Sequence, residues 1–327
     1  MPPIHNFSRS RRASLAALAA SVAAPAVWAQ QDRPIRIIVG FAPGSANDLI
    51  ARDLARHMAE SLKQPVIVEN KPGAGGSLGT EAVAKAAPDG LTLGLGTSSQ
   101  MVMNVALYQN LPFDVERDLR QIGLVGRTPL VLVGKAAGAR TLKELIANAR
   151  ANPGQLSYGS GGIGSISHIV GEAFARAADI RLNHVPYKGN GPAMADLAGG
   201  HVDMVFDGII TAQPMAQQGR VRLLAFGGKQ RNAAIPDVPT FAEQGLRDYD
   251  AYTWNCLFAP AKVADADITR LNQALNAALA LPAMKERLAR GGADNLGPST
   301  PAQADAFGRK ERERWVPFVR SLKLTIN

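Results

Sequence analysis

Two rhythms alternate along the chain. Short apolar runs of strand character separate stretches in which apolar positions recur every three or four residues, the spacing of a half-buried helix. The run Ile35 to Gly40, IRIIVG, is apolar on both faces, as a strand inside a parallel sheet is. After the turn Phe41-Ala42-Pro43-Gly44, the positions Ile50, Leu54, Met58 and Leu62 form the stripe of a helix that Pro65 ends. A strand from Val66 to Glu69, the loop NKPGAGGSLGT, a short helix over about Thr80 to Ala87, the turn Pro88-Asp89-Gly90 and the strand LTLGLGT follow. Strands joined by helical crossovers predict a parallel α/β unit.

A second unit begins near Leu130 with the strand LVLVG. Thr141 and Glu144 form a capping box for a helix that stops before Asn152-Pro153-Gly154. Then come the strand QLSYGS, a Gly-rich loop, a helix from about His168 to Ala178, and the strand RLNHVPY. A helix near Pro192 to Gly199 leads to the strands VDMVFDG and VRLLAFGG. The long extended run YTWNCLFAPA precedes helices over about Asp267 to Ala280 and Ala283 to Arg290, and a last one opened by Thr300-Pro301-Ala302-Gln303. The economical arrangement is two α/β lobes, with the chain passing between them near 125–130 and again near 252–258. Residues 30–128 plus 254–327 would make the first lobe and 129–253 the second.

The N-terminus stands apart. Arg9, Arg11 and Arg12 precede an apolar, alanine-rich stretch from Ala13 to Val27, and Val27-Trp28-Ala29 puts small residues where an export peptidase reads. Residues 1–29 therefore read as a cleaved signal peptide of the Sec or twin-arginine type. The stretch is too short to anchor in a membrane, and no cysteine follows it to carry a lipid. The expected destination is the periplasm. Removing this segment takes away three arginines and no acid, lowering the formal charge from +9 to +6.

Composition narrows the chemistry further. The chain has 327 residues, enough for two domains, and its 19% charged residues are too few for a disordered polyampholyte. The lone Cys256 excludes an internal disulfide and a thiolate zinc site. Basic residues are scattered, aromatic content is 6%, and Arg309-Lys310-Glu311-Arg312-Glu313-Arg314 alternates in sign, so no nucleic-acid surface is expected. His57, His168, His184 and His201 are isolated in sequence, and metal-ligand spacings are absent. No metal or cofactor is expected.

Two loops carry the candidate chemistry. Phe41 to Asp48 joins a strand to a helix start, where unpartnered backbone N–H groups and the helix dipole suit an anion without any basic side chain. Ser45 and Asp48 could touch a ligand or only cap that helix. Tyr158 to His168 repeats the arrangement in the second unit, with Ser160, Ser165 and Ser167 as hydroxyl donors and Gly161, Gly162 and Gly164 allowing close approach. His168 either ends a helix quietly or bonds into that loop. Thr97-Ser98 and Asp207 lie at other carboxyl ends of strands, where open α/β sheets place ligands.

Two motif matches compete weakly. Gly159-x-Gly161-x-x-Gly164 fits a dinucleotide fingerprint, but Asp179 precedes the next strand where a ribose contact should end it. Gly75-x-Ser77-x-Gly79 fits a nucleophile elbow, yet a Pro72-containing loop, not a strand, leads into it. A phosphate-binding GxxxxGK[ST] loop does not occur.

From about Arg33 onward, the segments RIIVGFAPGSANDLIAR, PVIVENKPGAGGSLGTEAVAKAAPDG, LYQNLPFDVERDL, LSYGSGGIGSISH, VPYKGNGPAMADLAGGHVDMVFDG and IPDVPTFAEQGL, in this order and spacing, resemble the Bug-type (TctC-like) extracytoplasmic receptors of tripartite tricarboxylate transporters. The resemblance implies a two-lobed Venus-flytrap fold of the type II-like periplasmic binding proteins. It implies capture of a small carboxylate (a di- or tricarboxylate, an acidic amino acid or an aromatic acid) and delivery to membrane transporter subunits by a monomeric receptor without enzymatic activity. Carried over residue by residue, it points to Phe41, Pro43, Gly44, Ser45, Asn47 and Asp48 in the first loop, and to Thr97 and Ser98 after the third strand. In the second unit it points to Ser160, Gly164, Ser165 and His168, with Tyr187 and Asp207 beside them. Ser45 stands where the family usually has a second Gly, which would strain it if the position needs a positive φ. Gly208 stands where an Asn is usual. Two other readings stay open: a sensing subunit for a membrane kinase, and an exported hydrolase using Ser77.

Overall fold

The structure, a computed structural model, describes residues 33–324. The signal peptide expected at residues 1–29 lies outside them. The first strand, β1 (Ile35–Val39), buries all its residues except Arg36, as its two-sided apolar run requires. Helix α1 (Ala46–Leu62) follows, with Leu54 and Met58 fully buried. Ile50 and Leu62 flank that stripe half-buried, and Ala51 and Ala55 complete its centre. Lys63 closes the helix in the left-handed conformation, at φ 51°. Then come β2 (Val66–Asn70), α2 (Ser77–Ala84), β3 (Thr92–Thr97), a π-helical turn (Ser99–Met103) and the short α3 (Asn104–Leu107). Helix α2 starts three residues before the predicted point, because Ala74–Gly76 form a 3-10 turn that feeds it.

The next strand, β4 (Leu119–Pro129), corrects the sequence reading, which placed none there. Its run LRQIGLVGRTP lacks alternation, and Gly123 and Gly126 weaken strand propensity. Burial between β10 (Tyr252–Pro260) on one side and β11 (Asp294–Asn295) on the other decides the matter. Both glycines are needed for packing: a Cβ on Gly123 would lie 2.9 Å from Leu275, and one on Gly126 3.2 Å from the Asp294 carbonyl. Strand order in this sheet is β11-β4-β10-β3-β1-β2, with β1 parallel to both β2 and β3 and with β10 antiparallel to β3 and β4.

The second sheet has the order β7-β6-β8-β5-β9. It comprises β5 (Val131–Lys135), β6 (Ser157–Ser160), β7 (Asn183–Pro186), β8 (Met204–Asp207) and β9 (Val221–Phe226). Helices α4 (Leu142–Ala151), α5 (Ile166–Ala177), α6 (Asn190–Gly199) and α7 (Ile209–Gln217) connect or cover its strands. Helix α7 was not expected from the sequence; Pro214 within it obscured the periodicity. The chain ends on the first lobe with α8 (Asp265–Ala280), α9 (Pro282–Arg290) and α10 (Pro301–Ser321).

The passages between lobes lie side by side. Leu130 N–H donates to the Ala251 carbonyl at 2.8 Å, and the Leu130 carbonyl accepts from Gly227 N–H at 2.8 Å. Three backbones thus meet at one point. A Cβ on Gly227 would sit 2.2 Å from the Ala251 carbonyl oxygen, so only glycine fits there.

Candidate functional site

The two loops singled out in the sequence fold into nearly the same turn. In the first, Gly44 has φ +79° and Ser45 caps α1 at φ −65°, ψ 159°. In the second, Gly164 has φ +79° and Ser165 caps α5 at φ −64°, ψ 157°. Each serine Oγ accepts from the N–H three residues on, Asp48 and His168 respectively, at 3.3 Å in both. The positive φ falls on glycine both times, so Ser45 is unstrained, and the concern raised by its replacing a glycine is removed.

The third helical residue then reaches back, one position beyond the cap. Asp48 Oδ2 accepts from Gly44 N–H at 2.9 Å. His168 Nδ1 accepts from Gly164 N–H at 3.1 Å. Thr141 and Glu144 do the same on α4, where Glu144 Oε2 accepts from Arg140 N–H at 2.8 Å. Because His168 Nδ1 is an acceptor, a neutral ring carries its proton on Nε2.

These side chains hold the turns and leave backbone donors uncommitted. The N–H groups of Ala46 and Asn47, and of Ile166 and Ser167, have no partner among the described residues, as first-turn amides do. Asp48 Oδ2 also accepts from Arg52 Nε at 2.9 Å, and Oδ1 from Asn70 Nδ2 at 2.9 Å. Burial pushes its pKa up, but the bonds from Arg52, Gly44 and Asn70 outweigh it and hold the carboxyl below its usual value. Asp48 is therefore an ionised brace of the first turn. Asn70 also donates to the Phe41 carbonyl at 3.0 Å, fixing the strand exit. Pro43 and Gly44 are exposed at the loop tip.

Other candidates are likewise tied to their own lobe. Thr97 N–H and Oγ1 both donate to Gln100 Oε1, at 2.9 and 3.1 Å. Ser98 Oγ lies 2.9 Å from Thr253 Oγ1 on β10. The Tyr187 hydroxyl donates to Asp196 Oδ2 at 2.7 Å, and its N–H to the Ser160 carbonyl at 3.0 Å. Ser160 Oγ lies 2.6 Å from His184 Nε2. The His168 and His184 rings stack with centroids 3.9 Å apart, and Tyr158 stacks on His184 at 4.8 Å. Burial, with His184 adding to it, pushes the His168 imidazole down to about 3; burial pushes His184 down to about 4. Both are neutral at physiological pH. The Asp207 carboxylate accepts from Asn190 Nδ2 at 2.9 Å and Thr211 Oγ1 at 2.5 Å, while burial raises its pKa.

Four amide side chains missed by the sequence reading organise the site. Asn190 ties Asp207 and the Phe206 carbonyl to Ser167, whose Oγ donates to Asn190 Oδ1 at 2.8 Å and accepts from Gly161 N–H at 2.9 Å. Gln100 joins Thr97 to Thr80 and the Gly76 carbonyl. Asn70 braces the first turn, as described. Asn255, buried on β10, donates to Asn47 Oδ1 at 2.9 Å. Amides have no sequence spacing that announces such roles.

Strand β10 is where the two turns converge. Asn47, two residues past the first cap, is bonded to its Asn255. Ile169, four residues past the second cap, is buried in the first lobe's apolar cluster with Trp254 and Cys256 of β10 and with Met101. Ile166 and Ala173 of α5 pack against the same cluster and against the second lobe's core. The two helix starts thus approach one strand from different lobes. Ser77, the residue of the elbow match, is buried and accepts from Asn104 Nδ2 at 2.8 Å.

Comparison with known proteins agrees with this fold. The protein BugT of Bordetella pertussis is 38% identical over 290 residues, covering 88% of this chain and 89% of that protein. Among solved structures, MatC from Rhodopseudomonas palustris with bound malate is 31% identical, superposes with a TM-score of 0.81, and covers 88% of this chain and 99% of that one. A second R. palustris protein, solved with adipate, is 29% identical with a TM-score of 0.82, covering 88% of this chain and 97% of its own. The sequence model for the tripartite tricarboxylate transporter family receptor matches residues 50–324. With its two mixed sheets and paired helix starts, the chain belongs to that family of receptors.

Proposed function

We propose that this protein is an exported receptor that captures a small organic acid between its lobes and delivers it to a tripartite tricarboxylate-type membrane transporter. The observation that carries the reading is the pair of superimposable Gly-Ser turns, one per lobe, each aiming uncommitted amides from a helix start. Such donors suit carboxylates without burying a permanent positive charge. The malate and adipate held by the two R. palustris relatives are acids of this class. Among the described residues no helix is long and apolar enough to cross a membrane.

The ligand would bind by shifting an equilibrium between open and closed lobes about the Leu130–Gly227–Ala251 junction. Mass spectrometry of freshly purified mature protein, followed by calorimetry of stripped protein against di-, tri- and aromatic carboxylates, tests this. The expected result is one cleft-bound acid whose affinity falls in both Ser45→Ala and Ser165→Ala. Failure to bind any carboxylate, or binding indifferent to both substitutions, would refute it.

A further inference from the structure

The two turns share a backbone but not a hydrogen-bond polarity. Asn47 and Ser167 occupy matching positions, each two residues past its capping serine. What each side chain can offer a ligand is decided by the amide it meets.

On the first lobe that amide is Asn255, 2% exposed on β10. Its Nδ2 donates to Asn47 Oδ1 at 2.9 Å and to the Gly96 carbonyl at 3.4 Å. A carbonyl can only accept, and turning the Asn255 amide over would set two oxygens against each other there. Asn255 therefore presents a donor, Asn47 answers with its oxygen, and the Asn47 NH2 is left uncommitted. That Nδ2 has no partner among the described residues and is open to solvent. The Ser45 hydroxyl is free to donate as well. Its oxygen accepts from Asp48 N–H, and its proton has no acceptor among the described residues.

On the second lobe the amide is Asn190. Its Nδ2 donates to the Phe206 carbonyl at 3.0 Å and to Asp207 Oδ1 at 2.9 Å. The Phe206 carbonyl fixes this orientation whatever the charge on Asp207, so the Asn190 oxygen faces Ser167. Ser167, 1% exposed, gives its single proton to that oxygen at 2.8 Å. Ser165 Oγ lies 3.1 Å from Ser167 Oγ, and with the Ser167 proton already spent, Ser165 is the donor of that pair. The first turn thus keeps two side-chain donors free, and the second spends both of its hydroxyl protons inside its own lobe.

We infer that the first lobe is the anchoring half of the site, with Asn255 as the positioning residue that makes the Asn47 amide a carboxylate donor. The inference rests on the carboxylate reading above and adds a direction to it. A charged carboxylate gains most where the Ser45 hydroxyl and Asn47 NH2 join the free first-turn amides, because hydrogen bonds to charged groups are the strong ones. The second turn meets the far end of the ligand with backbone amides alone, which suit a second carboxylate or an uncharged oxygen alike. The acid therefore loads charge-first onto the first lobe.

Acetate is the probe, a carboxylate with little else to recognise, titrated into ¹⁵N-labelled mature protein at constant ionic strength. The Asn47 side-chain amide and the Ala46 backbone amide should half-saturate at a concentration roughly fivefold or more below that for the Ile166 and Ser167 backbone amides. Ser45→Ala and Asn47→Ala should each raise the first-turn midpoint roughly fivefold or more. Asn255→Leu, close in shape, should raise it roughly threefold through lost preorganisation. In the Asn47→Ala background it should do nothing further, a pattern that a merely structural role for Asn255 would not give. Before any acetate is added, the Asn47 side-chain protons should exchange with water far faster than those of Asn255, a readout that needs no variant to fold. Equal midpoints at the two turns, earlier saturation of the second, additive Asn255 and Asn47 effects, or reversed exchange would overturn the inference while leaving a carboxylate site in place. No shift at either turn would overturn the inference and the carboxylate reading together.

Discussion

At the scale of single residues, the candidate site depends on backbone conformations that few side chains accept. Gly44 stands at φ +79° with no atom within 4 Å of where a Cβ would go. Gly44→Ala should therefore lower stability by about 1–2 kcal/mol through left-handed strain alone, measurable by urea denaturation. A loss near zero would mean the turn relaxes. Ser45→Ala and Ser165→Ala should each cost about 1 kcal/mol of stability as lost caps, with ligand affinity falling alongside. Gly208 caps α7 at φ −76°, with no side-chain bond and open space around it. Gly208→Asn should raise stability by a few tenths of a kcal/mol, about what Asn gains over Gly at a cap. A drop would show that the bare residue is required by something other than the helix.

The stacked histidines make a pH prediction. His168 and His184 titrate well below the ordinary imidazole value in the folded protein, at about 3 and about 4. The unfolded chain therefore binds more protons than the folded one between about pH 4 and about pH 6.5. Stability due to these two groups is full above about pH 6.5 and falls as pH drops through that window. Protonation of His168 would also cost Gly164 its acceptor, so the second turn should loosen first. Unfolding free energies measured from pH 7 to pH 4 should fall less steeply in His184→Phe, and an unchanged slope would remove the pair from the account.

Elements were legible where one face or a local code decided them. The two-sided run of β1, the stripe of α1 and the Thr300–Gln303 capping box, with both its bonds present, could be read from neighbours in sequence. So could the two loops at helix starts, because Gly-Ser before an apolar period is a local signal. Strand β4 was not legible, since its conformation is fixed by β10, more than a hundred positions further on, and not by its own pattern. Within the site, the serines and glycines were readable but the amides Asn70, Gln100, Asn190 and Asn255 were not. Their meaning lies in carbonyls and hydroxyls that only folding brings near. Several candidate side chains, Asp48 and Tyr187 among them, spend polar atoms bracing neighbours, a role that spacing alone does not announce.

For the molecule as a whole, the junction of Leu130, Gly227 and Ala251 sets what can move. Gly227→Ala would force a methyl group to within 2.2 Å of a backbone oxygen. Such overpacking typically costs about 1–3 kcal/mol, and ligand-induced compaction in small-angle scattering should change with it. A fully stable variant with wild-type compaction would show that this contact is not the pivot. The two passages run as adjacent ribbons stitched together by hydrogen bonds. A stitched pair of ribbons resists twisting and sliding but yields to flexing across its flat side, so it behaves as a leaf spring with one soft direction. On the proposed function, closure would follow that single arc, with no latch needed to choose its path.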